Sequence, residues 1–117
     1  MKNNAFNTGR LYAIYETIFE ENGQRVEKFM ECMYNPRPHI CNFVDLTIGT
    51  NAYKKYEKEL CEVYDEINEI PQYQNSEQKI EFIRGYYTQY NKMKRKPANK
   101  KSSPKLDLTE ENFTDSR

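Results

Sequence analysis

The chain has 117 residues and a mean hydropathy of −1.06, and its 18 Lys and Arg balance 18 Asp and Glu to a formal net charge of zero. At this length we expect one domain. No apolar run approaches the roughly 18 residues of a membrane span, and none resembles a signal peptide, so we expect neither a membrane protein nor a secreted one. The 3 cysteines, an odd number, argue against a disulfide scaffold and favour the reducing cytoplasm.

Apolar residues at helical spacing predict a first helix near the N-terminus. Its apolar face comprises Leu11, Ile14, Tyr15, Ile18 and Phe19. Asn7 or Thr8 can cap its start, and Gly23 can end it in a left-handed turn. A second set at the same spacing comprises Val26, Phe29, Met30 and Met33. This second helix must end before Pro36, because proline disfavours a helical residue before it.

Three more helices are predicted further along the chain. The third is short, and its apolar face comprises Ile40, Phe43, Val44 and Thr47. The fourth is the longest, is closed by Pro71, and presents Tyr53, Tyr56, Leu60, Val63, Tyr64, Ile67 and Ile70. Asn75 begins the fifth helix, with Gln78 in the capping-box position three residues on. The apolar face of that helix comprises Ile80, Ile83, Tyr87 and Tyr90.

These elements predict an all-α fold, a compact bundle of about five helices in residues 1–96 with a disordered C-terminal tail, residues 97–117. Large apolar residues are rare in that tail, so it cannot bury enough surface to offset the entropy of ordering it. Phe82 and Tyr86 lie off the face of the fifth helix, and Tyr12 lies off that of the first. We therefore expect spare aromatic faces, typical of a member of a larger assembly.

Charge is distributed unevenly along the chain. Residues 1–91 hold 10 basic and 14 acidic residues, residues 92–105 hold seven basic and no acidic ones, and residues 106–117 have a net charge of −3. The chain is thus a mildly acidic body, a basic collar (residues 92–105) and an acidic tip. Cations at a helix end suit the helix dipole, and they also suit contact with phosphates.

Catalytic and metal chemistry are poorly represented in the sequence. The single histidine, His39, lies close to Cys41, but Cys32 and Cys61 stand apart, and the spacing lacks the close cysteine pair of a structural zinc site. The 4 glycines are isolated, so no glycine-rich loop can hold a phosphate. The carboxylates of the fourth helix lie opposite its apolar face, which is typical of a solvated surface. We expect no enzymatic activity, no metal and no cofactor.

Clustered basic residues form the candidate site. Lys and Arg neutralise the nucleic-acid backbone without reading its sequence, and aromatics such as Tyr86 can support this basic face or stack on displaced bases. The predicted nucleic-acid-binding residues are Lys54, Lys55, Lys58, Arg84, Lys92, Lys94, Arg95 and Lys96.

Two stretches carry a resemblance to a known family: Gly9–Glu16, which reads GRLYAIYE, and Arg84–Gln89, which reads RGYYTQ. Together they resemble the C-terminal helical region of the large subunit of subtype I-C CRISPR Cascade complexes. That region opens on a G-R-L-x-A-x-x-E-like helix and closes on a G-Y-Y-x-Q-like helix. The resemblance covers about residues 8–92. In this family the same region is also made as a free protein from a start inside the large-subunit gene, and this product is the small subunit.

The resemblance implies an all-helical, non-enzymatic, cytoplasmic small subunit of a type I-C Cascade. Its partners would be the large subunit, the backbone subunits, further copies of itself and the guide RNA–target DNA duplex, with no membrane and no small-molecule substrate. It would bind nucleic-acid backbone non-specifically and stabilise the R-loop in antiviral defence. Two alternatives stay open: a purely structural helical adaptor that contacts protein subunits only, and a viral mimic that blocks assembly. For the motif residues we favour structural roles, close helix packing at Gly85 and an ion pair between Arg10 and a carboxylate.

Overall fold

The computed structural model describes residues 3–98, and the side chains of residues 3–94. Within that range the chain forms five α-helices and no strand, so the all-α prediction is confirmed. The helices are α1 (Asn4–Glu21), α2 (Phe29–Tyr34), α3 (Pro36–Thr47), α4 (Asn51–Tyr64) and α5 (Ser76–Ala98). Because α5 continues to Ala98, it takes in the first two residues of the predicted tail, and residues 99–117 lie outside the described range. No helix within that range is both long and apolar enough to cross a membrane.

The ends of α1 show where local sequence signals succeed and fail. Asn3, rather than Asn7 or Thr8, caps the helix, since its side-chain oxygen accepts a hydrogen bond of 3.0 Å from the N–H of Phe6. Asn7 and Thr8 are buried inside the helix instead. The predicted left-handed stop is confirmed, because Gly23 has a φ of 78°.

The start of α5 forms the predicted capping box. The side-chain oxygen of Asn75 accepts from the N–H of Gln78 at 2.8 Å, and the side-chain oxygen of Gln78 accepts from the N–H of Asn75 at 2.8 Å. Two of the backbone donors that a helix start leaves without a partner are thereby satisfied. The sequence signal for this helix start is therefore correct.

The fourth helix is shorter than predicted, because it ends at Tyr64 and not at Pro71. The following segment, residues 65–75, crosses the start of α1 and then contacts α2 and α3. Side chains from other elements hydrogen-bond its backbone: for example, the Asn7 amide donates to the carbonyl of Glu66 at 3.2 Å. Side-chain hydrogen bonds of this kind compete with a continuing helix and replace the pairing it would provide.

The first and last helices form the most extensive pair and run in the same direction. Asn3 donates to the Glu81 carboxylate at 3.1 Å near the start of both helices, and Arg10 donates to the Gln89 side chain at 3.0 Å further along both. α4 packs on α1 in the opposite direction, so α1 lies between α4 and α5, and it supplies more of the buried core than any other helix.

Two glycines set the distance between α1 and α5. A Cβ added at Gly9 would lie 2.0 Å from the carbonyl oxygen of Phe82, and one added at Gly85 would lie 1.8 Å from the carbonyl oxygen of Phe6. Both distances are far shorter than a non-bonded contact, so each helix places a glycine against the backbone of the other. The expectation that Gly85 allows close packing is confirmed.

The apolar face predicted for α5 is only half correct, since Ile83 and Tyr90 pack against the core but Ile80 and Tyr87 are exposed. Phe82 is fully buried and Tyr86 only 9% exposed, whereas Ile80 and Tyr87 are 56% and 54% exposed. Gly85 explains the difference: its contact with α1 turns the neighbouring Phe82 and Tyr86 toward the core. Tyr12 is buried as well and packs against Phe82 and Tyr86, so these three aromatics do not form the spare faces expected from the sequence.

Candidate nucleic-acid interface

The lysines of α4 lie near the C-terminal end of α1. The side chain of Asn22, which follows α1, donates to Thr50 at the start of α4 at 3.3 Å, and this contact places the first turns of α4 beside that end. Lys54, Lys55 and Lys58 are all exposed there.

Only one of these three lysines has an ion-pair partner among the described residues. The Lys55 ammonium lies 3.1 Å from each carboxylate oxygen of Glu21, the last residue of α1. None of the ion pairs within residues 3–94 involves Lys54 or Lys58. The positive charge that this cluster offers to a phosphate therefore comes mainly from Lys54 and Lys58.

The contacts of Glu21 keep it in place as the ion-pair partner of Lys55. The Tyr56 hydroxyl donates to Glu21 at 2.5 Å, and this hydrogen bond is the largest single cause that lowers the pKa of the Glu21 carboxyl, to which Lys55 adds. Burial acts in the opposite direction but does not reverse the shift. Glu21 thus stays ionised and holds Lys55 against the body of the protein.

The basic residues at the end of α5 reach the same end of the molecule. The Lys94 ammonium lies 4.0 Å from a carboxylate oxygen of Glu20 and 5.3 Å from the centre of the Tyr90 ring. Lys92 is exposed and takes part in none of the ion pairs among the described side chains. Arg95 and Lys96 belong to α5, and their side chains lie outside the described range. Two basic groups, one from α4 and one from α5, therefore flank the C-terminal end of α1.

Arg84 does not join this arrangement. Its guanidinium lies 3.4 Å from the carboxylate of Glu81, which also accepts a hydrogen bond from Asn3 at the start of α1. Lys94 lies ten residues further on, which is about 15 Å along a helix. The structure therefore brings Lys54, Lys58 and Lys92 to one end and leaves Arg84 near the other.

Tyr86 cannot stack on a base in this structure. It is only 9% exposed, and its hydroxyl donates to the Glu16 carboxylate at 2.5 Å. Burial is the main cause that raises the pKa of Tyr86, and the adjacent Glu16 raises it further. Of the two roles expected for this tyrosine, stacking on a base is wrong, and Tyr87, which packs edge-on against it, is exposed instead.

Arg10, a motif residue, is bound by amides and not by a carboxylate. Its guanidinium donates to the side-chain oxygens of Asn7 and Gln89, each at 3.0 Å. Gln89 is almost fully buried, so this hydrogen-bond cluster connects α1 to α5 inside the packed interface. The predicted ion pair is wrong, but the structural role expected for Arg10 is confirmed.

The interface contains two residues that sequence reasoning missed. Glu20 and Glu21 place carboxylates between the two basic groups, where they neutralise part of the charge. No local spacing could have revealed this, because Lys55 and Glu21 are 34 residues apart.

Metal-binding groups are absent from the described part of the chain: no three His, Cys, Asp or Glu side chains there could hold an ion together. Cys32 is fully buried, and its burial raises the pKa of its thiol to about 12, which keeps it protonated. Cys41 and Cys61 are free and exposed.

No family model, no curated protein and no solved structure matches the chain. Two features of the chain bear on its function, the arrangement of charged residues around the end of α1 and the two motifs. Both motifs lie in the contact between α1 and α5, where Gly9, Arg10, Gly85 and Gln89 are packed.

Proposed function

We propose that this chain is the small subunit of a type I-C CRISPR Cascade, and that it binds the nucleic-acid backbone non-specifically beside the guide RNA–target DNA duplex. The observation that carries the proposal is the position of the exposed Lys54, Lys58 and Lys92 at the same end of the molecule. Phosphate contacts by such lysines provide affinity without reading bases. The subunit itself performs no chemistry.

The resemblance adds support because its residues determine the helix pairing. The glycines of the two motifs allow α1 and α5 to approach, and Arg10 and Gln89 connect the two helices by a hydrogen bond. A related protein that kept these residues would keep the same helix pair. The first test is the neighbouring gene: a large-subunit reading frame that contains this sequence in frame at its 3′ end supports the family, and its absence argues against it.

The second test addresses the basic end directly. We expect the double substitution Lys54→Ala/Lys58→Ala to weaken binding of target DNA by the assembled complex and to reduce the slope of log K against log salt by about 2, since each lost phosphate contact contributes ~0.9. Lys55→Ala is expected to have a smaller effect, because Glu21 already neutralises Lys55. Lys79→Ala is the matched control, since that ammonium lies 3.7 Å from the centre of the Tyr34 ring, in the contact between the start of α5 and α2. Unchanged affinity and salt slope in the double variant would show that this end does not contact DNA.

The structural adaptor remains a second candidate because several large apolar side chains are exposed. These are Met30, Tyr34, Leu46, Ile48, Tyr73, Ile80 and Tyr87, each at least half exposed. An adaptor would bind neighbouring subunits through such residues and would not contact DNA. Crosslinking of the assembled complex to photoreactive target DNA separates the two proposals, since crosslinks to this chain support DNA contact and their absence supports the adaptor.

A further inference from the structure

An open groove of about 690 Å³ lies between the end of α1 and the start of α2. Its apolar floor comprises Tyr12, Val26, Phe29 and Met30, two of which are aromatic. Three carboxylates line it, those of Glu16, Glu20 and Glu27, against the single guanidinium of Arg25. The groove therefore combines an apolar floor with a net negative lining.

The partners of these carboxylates leave part of the negative charge available. Glu27 is paired with Arg25 at 3.0 Å, but both side chains are largely exposed, and exposed pairs of this kind contribute little and exchange readily. Glu20 has Lys94 at 4.0 Å, the outer limit of an ion pair. Glu16 accepts a hydrogen bond from the neutral Tyr86 hydroxyl. A ligand that brings ammonium groups would improve the pairing of all three carboxylates.

These features favour a peptide segment that contains both lysines and a large apolar residue. The carboxylates repel a nucleic-acid backbone, so the groove is not an extension of the basic end. The apolar floor, with Met30 56% exposed, favours an apolar side chain over a purely charged one.

A segment with this composition follows directly after α5. Residues 100–106 read KKSSPKL and supply three lysines and a leucine. The end of α5 lies close to the groove, because Lys94 contacts Glu20 on its lining, and Ala98 is about 6 Å further along the helix. From Ala98, the eight residues to Leu106 reach about 26–29 Å when fully extended, which is enough to bring Leu106 over the floor.

We propose that residues 100–106 of the same chain bind in this groove, with Leu106 on the floor beside Met30 and with Lys100, Lys101 and Lys105 at the carboxylates. Binding there removes these lysines from any contact with phosphate. The inference does not depend on the proposed function, since it concerns a contact within the isolated chain.

The test uses the full chain with ¹³C-labelled Met and Leu methyl groups in NMR spectroscopy. We expect a nuclear Overhauser effect between the methyl groups of Leu106 and Met30, and none between those of Leu106 and Met33, which is buried. The Met30 contact should disappear in K100Q/K101Q/K105Q and in E20Q/E27Q. It should persist in E57Q/E62Q, the matched control, in which two exposed carboxylates of α4 are neutralised instead.

Three outcomes would overturn the proposal. The first is the absence of the Met30–Leu106 effect in the unaltered chain. The second is its persistence when either set of charges is removed, since the carboxylates would then not hold the segment. The third is its loss on tenfold dilution, which would place the segment in the groove of a second molecule. An effect that depends on both sets of charges and not on concentration supports the contact within one chain.

Discussion

The close approach of α1 and α5 predicts that adding one methyl group, in Gly85→Ala, destabilises the protein. The new Cβ would lie 1.8 Å from the carbonyl oxygen of Phe6. Carbon–oxygen contacts in proteins are about 3.3 Å or longer, so the helices must separate by about 1.5 Å. The atom in the way belongs to backbone and cannot rotate aside. We therefore take the upper part of the cost of overpacking, about 3 kcal/mol, less about 1 kcal/mol that alanine gains over glycine in a helix.

The expected net loss is about 2 kcal/mol in the free energy of unfolding, equivalent to a fall of about 8–16 °C in Tm for a domain of this size. Urea and thermal unfolding followed by far-UV circular dichroism would measure both quantities. The control is Thr88→Ala, an exposed position three residues along the same helix, where alanine should be neutral or slightly stabilising. If Gly85→Ala proved as stable as Thr88→Ala, helix propensity alone would govern the site and the close approach would be refuted.

The opposing glycine provides an independent check on the same reasoning. Gly9→Ala should also destabilise, because its Cβ would lie 2.0 Å from the carbonyl oxygen of Phe82. Once one substitution has separated the helices, the second meets less resistance. We therefore expect the double variant Gly9→Ala/Gly85→Ala to lose less stability than the two single losses added together. Strict additivity would show that the two contacts are not part of one interface.

Three further predictions concern buried groups. Ellman's reagent should react with Cys41 and Cys61 in the folded protein, and with Cys32 only after unfolding in guanidinium chloride. Rapid reaction of all three thiols in the folded state would contradict the burial of Cys32. Burial raises the pKa values of Tyr12 and Cys32 to about 12, so the folded state retains protons that the unfolded chain releases from about pH 9 upward. The free energy of unfolding should therefore be lower at pH 11 than at pH 8, and an equal value in urea titrations at both would contradict this linkage. The Tyr15 and Tyr64 hydroxyls share a hydrogen bond of 2.8 Å, and Tyr53 also hydrogen-bonds the Tyr15 hydroxyl. Tyr64→Phe should therefore lower the free energy of unfolding by about 1 kcal/mol, the net value of one hydrogen bond. An unchanged urea midpoint would show that this bond adds nothing to stability.

Sequence periodicity was sufficient for the number of helices but not for the orientation of every helix. Spacing alone placed Ile80 on the buried face of α5, yet the structure buries Phe82 there, because the glycine contact with α1 fixes the rotation of the helix. Likewise, Pro71 marks where a helix must stop, but α4 ends at Tyr64 because hydrogen bonds from distant side chains hold the next segment. Whether a segment forms a helix is decided locally, whereas the rotation of α5 and the end of α4 depend on residues far away in the chain.

The candidate site divides in the same way. Clusters of lysines are visible in the sequence, and so is the basic collar. The ion pair between Lys55 and Glu21 is not visible in the sequence, because it requires the end of α1 to lie beside the first turns of α4. A charge count along the chain therefore overestimates how many of the predicted cations are available to a phosphate.

The pairing of α1 with α5 has a consequence for synthesis of the chain. The hydrogen bonds described between these two helices join residues 70 to 79 positions apart, so the partner of α1 is made late. At about 5–20 residues per second, the ribosome needs several seconds to pass from the end of α1 to the middle of α5. Throughout that interval the apolar residues of α1 lack the helix that covers them. A nascent chain of this protein should therefore be a better substrate for ribosome-associated chaperones than its small size and helical content suggest.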